Sequence, residues 1–575
     1  MNYKDKYKLW INSSVIDEST KDELKSLIDE KDIEDRFYKD LEFGTGGLRG
    51  IIGAGSNRLN IYTVGKATQG FANYLNKNNK NSKVAIAYDS RNMSKEFAEY
   101  AARVLAGNGI KVYLYDKLTP TPMLSFAVRE LKCDGGIVIT ASHNPKEYNG
   151  YKVYGSDGCQ VTDIDANKII TCVNEVDMFN DILVMDKCEA INKEIINYIG
   201  DSIYKKYIEN VKTLTIREEL VRNHAKDLKI IYTPIHGTGN IPVRMILNEL
   251  GYDKVEVVKE QELPNGNFPT APYPNPEDSK VFKLALEMAK DLNPDIIIGT
   301  DPDCDRIGIV VKDNAGEYRV LTGNQVGVLL THYILSSLKE MNKLTSEGTI
   351  IKTIVSTDMV KPICKDYGVK LEEVLTGFKY IGELIKKFED NSGKNRFLLG
   401  FEESYGYLSG EFVRDKDAVI ASMLICEMTL YYKTIGKTLY EGLIDLYNTY
   451  GYYKEKLISI ELKGKEGQEK ISEIIEFFRN NDINNFGKYN VSIKEDYKLS
   501  IRKSVESSEK ETILLPKSNV IKFIFDNGCY FVVRPSGTEP KMKIYLGVTG
   551  EGENVANDNL KGLESCVSET INKLL

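Results

Sequence analysis

Asp301, Asp303 and Asp305 alternate over five residues of one short stretch. Like charges this close repel unless something neutralises them, and a hard divalent cation with oxygen ligands is the usual solution. An EF-hand does not account for the spacing, because its sixth position needs glycine and its twelfth a bidentate acid, and Arg306 and Lys312 stand there. Mg2+ suits the group better, since it takes few protein oxygens and shares the rest of its shell with phosphate and water. A phosphorylated serine would supply one such oxygen. The candidate is Ser142, in Thr140-Ala141-Ser142-His143-Asn144-Pro145, although the same residue types also make an ordinary turn.

His143 beside Ser142 invites a serine-hydrolase reading, but the local pattern is not G-x-S-x-G and adjacent residues rarely form a nucleophile and base pair. A cation beside a phosphoserine is the better role for His143. Lys152, just beyond the serine loop, would serve as a proton shuttle if its pKa were lowered. Two further loops suit phosphate. Phe43-Gly44-Thr45-Gly46-Gly47-Leu48-Arg49-Gly50 combines open backbone N–H groups with one arginine, and Arg534-Pro535-Ser536-Gly537-Thr538 adds a charge fork and hydroxyls. Glu402, Glu403 and Ser404 lack metal spacing but suit sugar hydroxyls.

These loops need elements to hold them, and the apolar periodicity supplies a repeating set. Strands at 83–88, 111–115 and 136–139 alternate with helices at 94–106 and 121–131, and the third strand runs into the serine loop. The same order recurs at 229–298, ending at the aspartates, and at 349–399, ending at Glu402. Three such rounds predict three similar mixed-sheet α/β domains, each delivering a polar loop after its third strand. Beyond Thr449 the pattern changes to an α+β domain closed by a helix at 555–574. The expected boundaries are 1–210, 211–319, 320–448 and 449–575. The first 40 residues, with Leu24, Leu27 and Ile28 at helical spacing, read as a solvated helical arm.

At 575 residues the chain has room for roughly four domains of about 150 residues. No stretch reaches the ~18 unbroken apolar residues of a membrane span, and the charged N-terminus shows no secretory signal. Nine scattered cysteines without a CxxC pair read as reduced core thiols of a cytoplasmic protein. A net charge of −8 argues against nucleic acid as the main partner.

The loops at 43–50, 140–145, 301–306, 401–406 and 534–540, taken in order, resemble those of the α-D-phosphohexomutase superfamily, and of its phosphoglucomutase branch in particular. The resemblance covers almost the whole chain. It implies four domains around a central cleft, with Ser142 as phosphoryl carrier and Asp301, Asp303 and Asp305 holding Mg2+ together with a phosphoserine oxygen. It implies that Glu402 and Ser404 grip sugar hydroxyls, and that Arg534, Ser536, Gly537 and Thr538 clamp the non-reacting phosphate. It places Arg49, His143, Lys152, Arg306 and Lys379 near the transferring phosphoryl group, and Thr45 among the substrate contacts. The implied ligands are a small sugar phosphate and, as activator and intermediate, glucose 1,6-bisphosphate.

Tyr405 and Gly46 depart from many relatives, which leaves glucose, mannose and pentose phosphates open as substrates, with glucose first. Two other classes stay open on the residues alone. A phosphatase of the haloacid-dehalogenase type would use Asp301 as nucleophile, and a non-catalytic sugar-phosphate binder would need no carrier at all.

Overall fold

The computed structural model describes residues 1–44, 46–391, 395–462, 464–535 and 541–575. Thr45, Ser536, Gly537 and Thr538, all expected site residues, lie outside them. The chain divides into two units, Met1–Gly323 with Phe378–Leu439, and Asn324–Gly377 with Tyr440–Leu575.

In the first unit, the run Val84–Ala87 is fully buried because helices cover both faces of its sheet, which is why it reads as continuous apolar residues and not as an alternation. That sheet has the order Gly47–Ile51, Tyr148–Gly155, Gly135–Ile139, Lys83–Tyr88, Lys111–Tyr115, Ile196–Ile199. The last four strands are parallel, as βαβ crossovers require. Tyr148–Gly155 runs antiparallel, so the serine loop is the tip of a strand-turn-strand unit with Lys152 opposite Val138. Helix Ile61–Asn78 opens on an Asn60–Thr63 capping box and buries Val64, Ala67, Phe71 and Leu75 in the same core.

The second sheet repeats the device. Its order is Tyr318–Val320, Ile307–Lys312, Ile296–Thr300, Ile230–Thr233, Val255–Val257, with Ile296–Thr300 parallel to Ile230–Thr233 and antiparallel to Ile307–Lys312. The aspartates occupy the turn between the antiparallel pair. The helical segment before Ile296 is a 3-10 turn, Ser279–Phe282, followed by the α-helix Lys283–Leu292. Arg396–Glu402 and Gly406–Leu408 form a third antiparallel pair in this unit, with Glu403, Ser404 and Tyr405 at its tip.

The N-terminal helices Tyr3–Asn12, Glu18–Lys25 and Glu30–Phe37 are not a solvated arm. They bury Trp10, Leu24 and Phe37 with Ile16, Ala54 and Tyr62 in a core of their own, leaving Ile28 in solvent. Burial of the tryptophan alone contributes on the order of 3 kcal/mol.

In the second unit, strands Gly348–Thr353 and Lys370–Val374 pair in parallel. The C-terminal sheet is antiparallel in the order Tyr452–Glu461, Lys541–Gly550, Tyr530–Pro535, Ile521–Phe525, Tyr489–Asp496, Ile501–Ser504, Lys510–Thr512. Helices Gly464–Asn480 and Glu553–Asn572 pack against it around Phe478, Phe486, Phe523 and Phe531. All nine cysteines are free thiols and seven are buried. Among the described residues no single helix is long and apolar enough to cross a membrane.

Candidate active site

After strand Gly135–Ile139 the chain turns through Ser142, whose φ of 50° lies in the left-handed region that costs a non-glycine residue about 1 kcal/mol or more. Hydrogen bonds hold the turn. Ser142 N donates to Thr140 Oγ1 (2.8 Å), and Thr140 Oγ1 donates to Asp89 Oδ2 (2.6 Å). The buried Arg91 guanidinium grips the far side, donating to the carbonyls of Ser142 (2.5 Å), Asn144, Pro145 (2.9 Å) and Tyr148 (3.1 Å). One planar fork thus fixes the loop at four points.

Ser142 Oγ donates to Asp301 Oδ2 at 2.7 Å, which joins the serine loop to the aspartate loop. Asp301, Asp303 and Asp305 are all buried, with one potential ligand atom from each lying within 4.8 Å of the others. Among the described residues this is the one group of three acids, histidines or cysteines so placed. Burial and the neighbouring Asp303 and Asp305 carboxylates push Asp301 well above the ordinary range. Burial of Asp303 is outweighed by Lys152 and by hydrogen bonds, so Asp303 is pulled down.

The site residues fit a divalent cation on two grounds. Asp303 Oδ1 and Asp305 Oδ1 are buried and accept no hydrogen bond, Asp305 Oδ1 having only Arg306 Nε at 3.6 Å, which is costly for carboxylate oxygens without a further partner. The donors are also hard oxygens on a loop beside a hydroxyl, which is chemistry for Mg2+ or Ca2+ and not for a soft metal.

Cationic groups surround the triad. Lys152 Nζ lies 2.9 Å from Asp303 Oδ2 and 3.5 Å from Asp305 Oδ2. Burial works to lower the pKa of this ammonium, but the two carboxylates outweigh it and the net shift is upward. The lowered pKa expected of a proton shuttle is therefore absent while Lys152 is paired in this way. Arg306 Nη1 donates to Glu277 Oε1 (2.9 Å) and to the Ser404 carbonyl (3.0 Å), which ties the aspartate loop to the turn at Glu403, Ser404 and Tyr405. Arg49 Nη1 reaches Asn144 Oδ1 at 3.5 Å. His143 Nδ1 is 3.2 Å from Ser142 Oγ, and burial together with Arg306 and Arg49 pushes the ring well below its ordinary pKa. Beside an unmodified serine the ring is held neutral chiefly by its burial, with Arg306 and Arg49 acting in the same direction.

Glu402 is buried at the end of its strand, where its carboxylate acts electrostatically on Arg306 and Lys416. Ser404 follows it at the tip of the turn. Lys379 is not bonded to the triad: its Nζ pairs with Asp163 Oδ1 at 2.8 Å, at the start of helix Asp163–Asn174. Arg534 lies on strand Tyr530–Pro535 of the second unit, opposite Lys543.

Several residues of the site escaped the sequence reading. Asp89 and Arg91 follow a strand in Tyr88-Asp89-Ser90-Arg91, at the same strand end that marked the serine loop. Thr121 Oγ1 donates to Asp303 Oδ2 at 2.8 Å from a helix start that looked merely structural. Lys416 Nζ stands 3.2 Å from Asp305 Oδ2, and Arg414-Asp415-Lys416-Asp417 gave no local signal beyond a charged turn.

Comparison with known proteins agrees with this architecture. Models of the phosphoglucomutase/phosphomannomutase alpha/beta/alpha domains I, II and III match residues 40–179, 205–316 and 322–450, and that of the C-terminal domain matches 489–557. A phosphoglucomutase of Staphylococcus haemolyticus is 38% identical over 526 residues, 91% of this chain and 93% of that one. One of Staphylococcus aureus is 39% identical over 524 residues, 90% and 92% of the two chains. In fold, the chain is similar to a putative phosphomannomutase from Thermus thermophilus (TM-score 0.68, 21% identity, 92% of this chain and 99% of that one). It is also similar to the open form of parafusin, a phosphoglucomutase from Paramecium (TM-score 0.67, 18% identity, 93% and 96%). With three α/β domains, a C-terminal domain and these relatives, the chain belongs to the phosphoglucomutase/phosphomannomutase family.

Proposed function

We propose that the protein is a phosphoglucomutase, an isomerase that interconverts glucose 1-phosphate and glucose 6-phosphate in the cytoplasm with Ser142 as phosphoryl carrier. The observation that supports the assignment of the carrier is the 2.7 Å hydrogen bond from Ser142 Oγ to Asp301, at the rim of a buried acid triad in which two carboxylate oxygens accept no hydrogen bond. A bare serine in a polar turn has no need of such a neighbour.

In this reading the phosphoryl group on Ser142 passes to the free hydroxyl of the sugar phosphate. The serine O–P bond breaks, a sugar O–P bond forms and the hydroxyl proton departs, giving glucose 1,6-bisphosphate. The bisphosphate then presents its other end, whose phosphoryl returns to Ser142 as a proton returns to the sugar oxygen. Asp301, Asp303 and Asp305, with an oxygen on Ser142, would hold Mg2+, which supplies Lewis-acid neutralisation of charge on the phosphoryl group. Arg306, Arg49 and Lys379 stabilise that charge with fixed cations, and a water-poor setting makes each of them more effective.

Lys152 keeps its proton at Nζ while Asp303 and Asp305 pair with it, and loosening of that pair frees it to exchange the hydroxyl proton. Glu402 and Ser404 orient sugar hydroxyls. Arg534, Ser536, Gly537 and Thr538 are assigned to the phosphate that does not react, and Thr45 to substrate binding.

The test is turnover of glucose 1-phosphate with Mg2+ and a trace of the 1,6-bisphosphate, alongside intact mass. We expect one phosphoryl group on the wild type, and in Ser142→Ala no phosphoryl group and activity lower by at least ~10^3-fold. Phosphate and activity surviving in that variant would reject the carrier. A larger kcat/KM for mannose 1-phosphate than for glucose 1-phosphate would move the substrate assignment within the family.

A further inference from the structure

Each of the three aspartates has one oxygen already taken. Asp301 Oδ1 accepts the backbone N–H groups of Asp305 (3.1 Å) and Arg306 (3.0 Å). Asp303 Oδ2 accepts from Thr121 Oγ1 (2.8 Å) and Lys152 Nζ (2.9 Å). Asp305 Oδ2 lies 3.2 Å from Lys416 Nζ and 3.5 Å from Lys152 Nζ. What remains is one oxygen from each: Asp301 Oδ2, which accepts only from Ser142 Oγ, Asp303 Oδ1, which accepts no hydrogen bond, and Asp305 Oδ1, which accepts none and has Arg306 Nε at 3.6 Å. The triad is arranged as three single-oxygen donors.

That arrangement discriminates between hard cations. Ca2+ takes six to eight oxygens in a flexible shell and readily accepts both oxygens of one carboxylate, whereas Mg2+ requires a small octahedral shell of single oxygens. The weakest of the three blocks is the one on Asp305. Asp301 is held by backbone and Asp303 by a hydroxyl and an ammonium, but Asp305 Oδ2 depends on two lysine side chains.

Lys416 is held in place for this task. Its ammonium also contacts Asp415 Oδ1 (3.3 Å), and Asp415 Oδ2 accepts a 2.6 Å hydrogen bond from Tyr154, on the same strand as Lys152. Its stem runs through the space beside Gly406, where an added Cβ would sit 2.1 Å from Lys416 Cδ, and its ammonium lies 5.5 Å from the centre of the Phe378 ring. The side chain is nearly buried, at 12% exposure, a costly setting for a flexible cation with no task.

We propose that Lys416, tethered by Asp415 and Tyr154, is a positioning residue that keeps Asp305 a single-oxygen ligand and thereby sets the preference of the site for Mg2+ over Ca2+. The inference rests on the assignment of the triad as the cation site, and the experiment separates the two. MgCl2 and CaCl2 are titrated calorimetrically into the wild type, Lys416→Met, Lys416→Arg and Asp303→Asn. The wild type is expected to bind Mg2+ more tightly than Ca2+. Lys416→Met is expected to narrow that ratio by about tenfold, the scale on which outer-shell partners tune metal sites, and Lys416→Arg to keep most of it.

Asp415→Asn, which loosens the tether without removing the ammonium, is expected to shift the ratio in the same direction but less. It serves as the second probe should Lys416→Met lose its near-ultraviolet circular dichroism. An unchanged ratio in folded Lys416→Met or Asp415→Asn overturns the role of Lys416 and leaves the cation site standing. Absence of binding in the wild type, or undiminished binding in Asp303→Asn, overturns the site and the inference with it.

Discussion

Ser142 Oγ and Asp301 Oδ2 meet at 2.7 Å although 159 residues separate them in the chain. The contact makes Asp301 the acid that joins the serine loop to the aspartate triad. It also makes Asp301 the triad member with no ammonium bonded to it, and burial with its two acidic neighbours disfavours its charge.

Asp301→Asn should therefore separate function from stability. An amide can still accept the backbone N–H groups of Asp305 and Arg306 and can donate to Ser142, so the loop keeps its shape. Without added cation the variant is expected to melt no lower than the wild type, because the cost of neutralising a crowded buried carboxyl on folding is gone. Mg2+ affinity should fall by at least ~10-fold and phosphoryl transfer by ~10^2-fold or more. Calorimetric titration and differential scanning calorimetry read the two sides. A variant that melts well below the wild type while keeping its affinity for Mg2+ would refute the account.

Asp417 gives a pH signature away from the triad. It caps helix Ala418–Thr434 by accepting from the backbone N–H groups of Val419 and Ile420, and both of its oxygens accept from the Tyr207 hydroxyl. Burial, only partly offset by these bonds and reinforced by the Asp415 carboxylate, pushes its pKa up to about 7. The folded value lies above the unfolded one, near 4, so the folded state binds the extra proton between them. Its stabilising contribution is complete below pH 4 and is lost as pH rises through 7, by at most ~4 kcal/mol. Asp417→Asn keeps the cap and removes the titration. The melting temperature of the wild type minus that of the variant should thus fall from pH 5 to pH 8, and parallel profiles would dismiss the shift.

Lys379 offers a kinetic test. Its pairing with Asp163, which is 39% exposed, competes with any phosphate that Lys379 is to bind. Exposed pairs are worth up to ~1 kcal/mol, so Asp163→Asn should lower KM for the sugar phosphate by up to about fivefold with little change in kcat. An increase in KM would mean that Asp163 aims the lysine at the substrate.

How legible this was follows from distance along the chain. Strand Lys83–Tyr88 lies where its continuous apolar run puts it, because burial on both faces leaves an unambiguous local pattern, and Lys111–Tyr115 lies where its short apolar run does. The loops at Ser142, Asp301 and Glu402 were visible because their residue types are unusual at the end of an apolar strand. The antiparallel return strand Tyr148–Gly155 was not: its tyrosines, glycines and lysine carry no clear alternation, and the partner strands Gly135–Ile139 and Gly47–Ile51 define it. Lys416 and Arg91 were illegible for a related reason. Their meaning lies in Asp305 and in the carbonyls of the serine loop, groups that no local window contains. Trp10 was misjudged because a charged helix hid a single large side chain that packs against Phe37 and Tyr62.

Ser142, Cys304 and Tyr405 stand at the tips of the three strand-turn-strand units, and all have positive φ, at 50°, 53° and 67°. Glycine would adopt this conformation without strain, yet three different side chains occupy it. The turn geometry of these units therefore does not depend on the residue mounted at the tip, which is a serine in one, a cysteine among acids in the second and a tyrosine in the third.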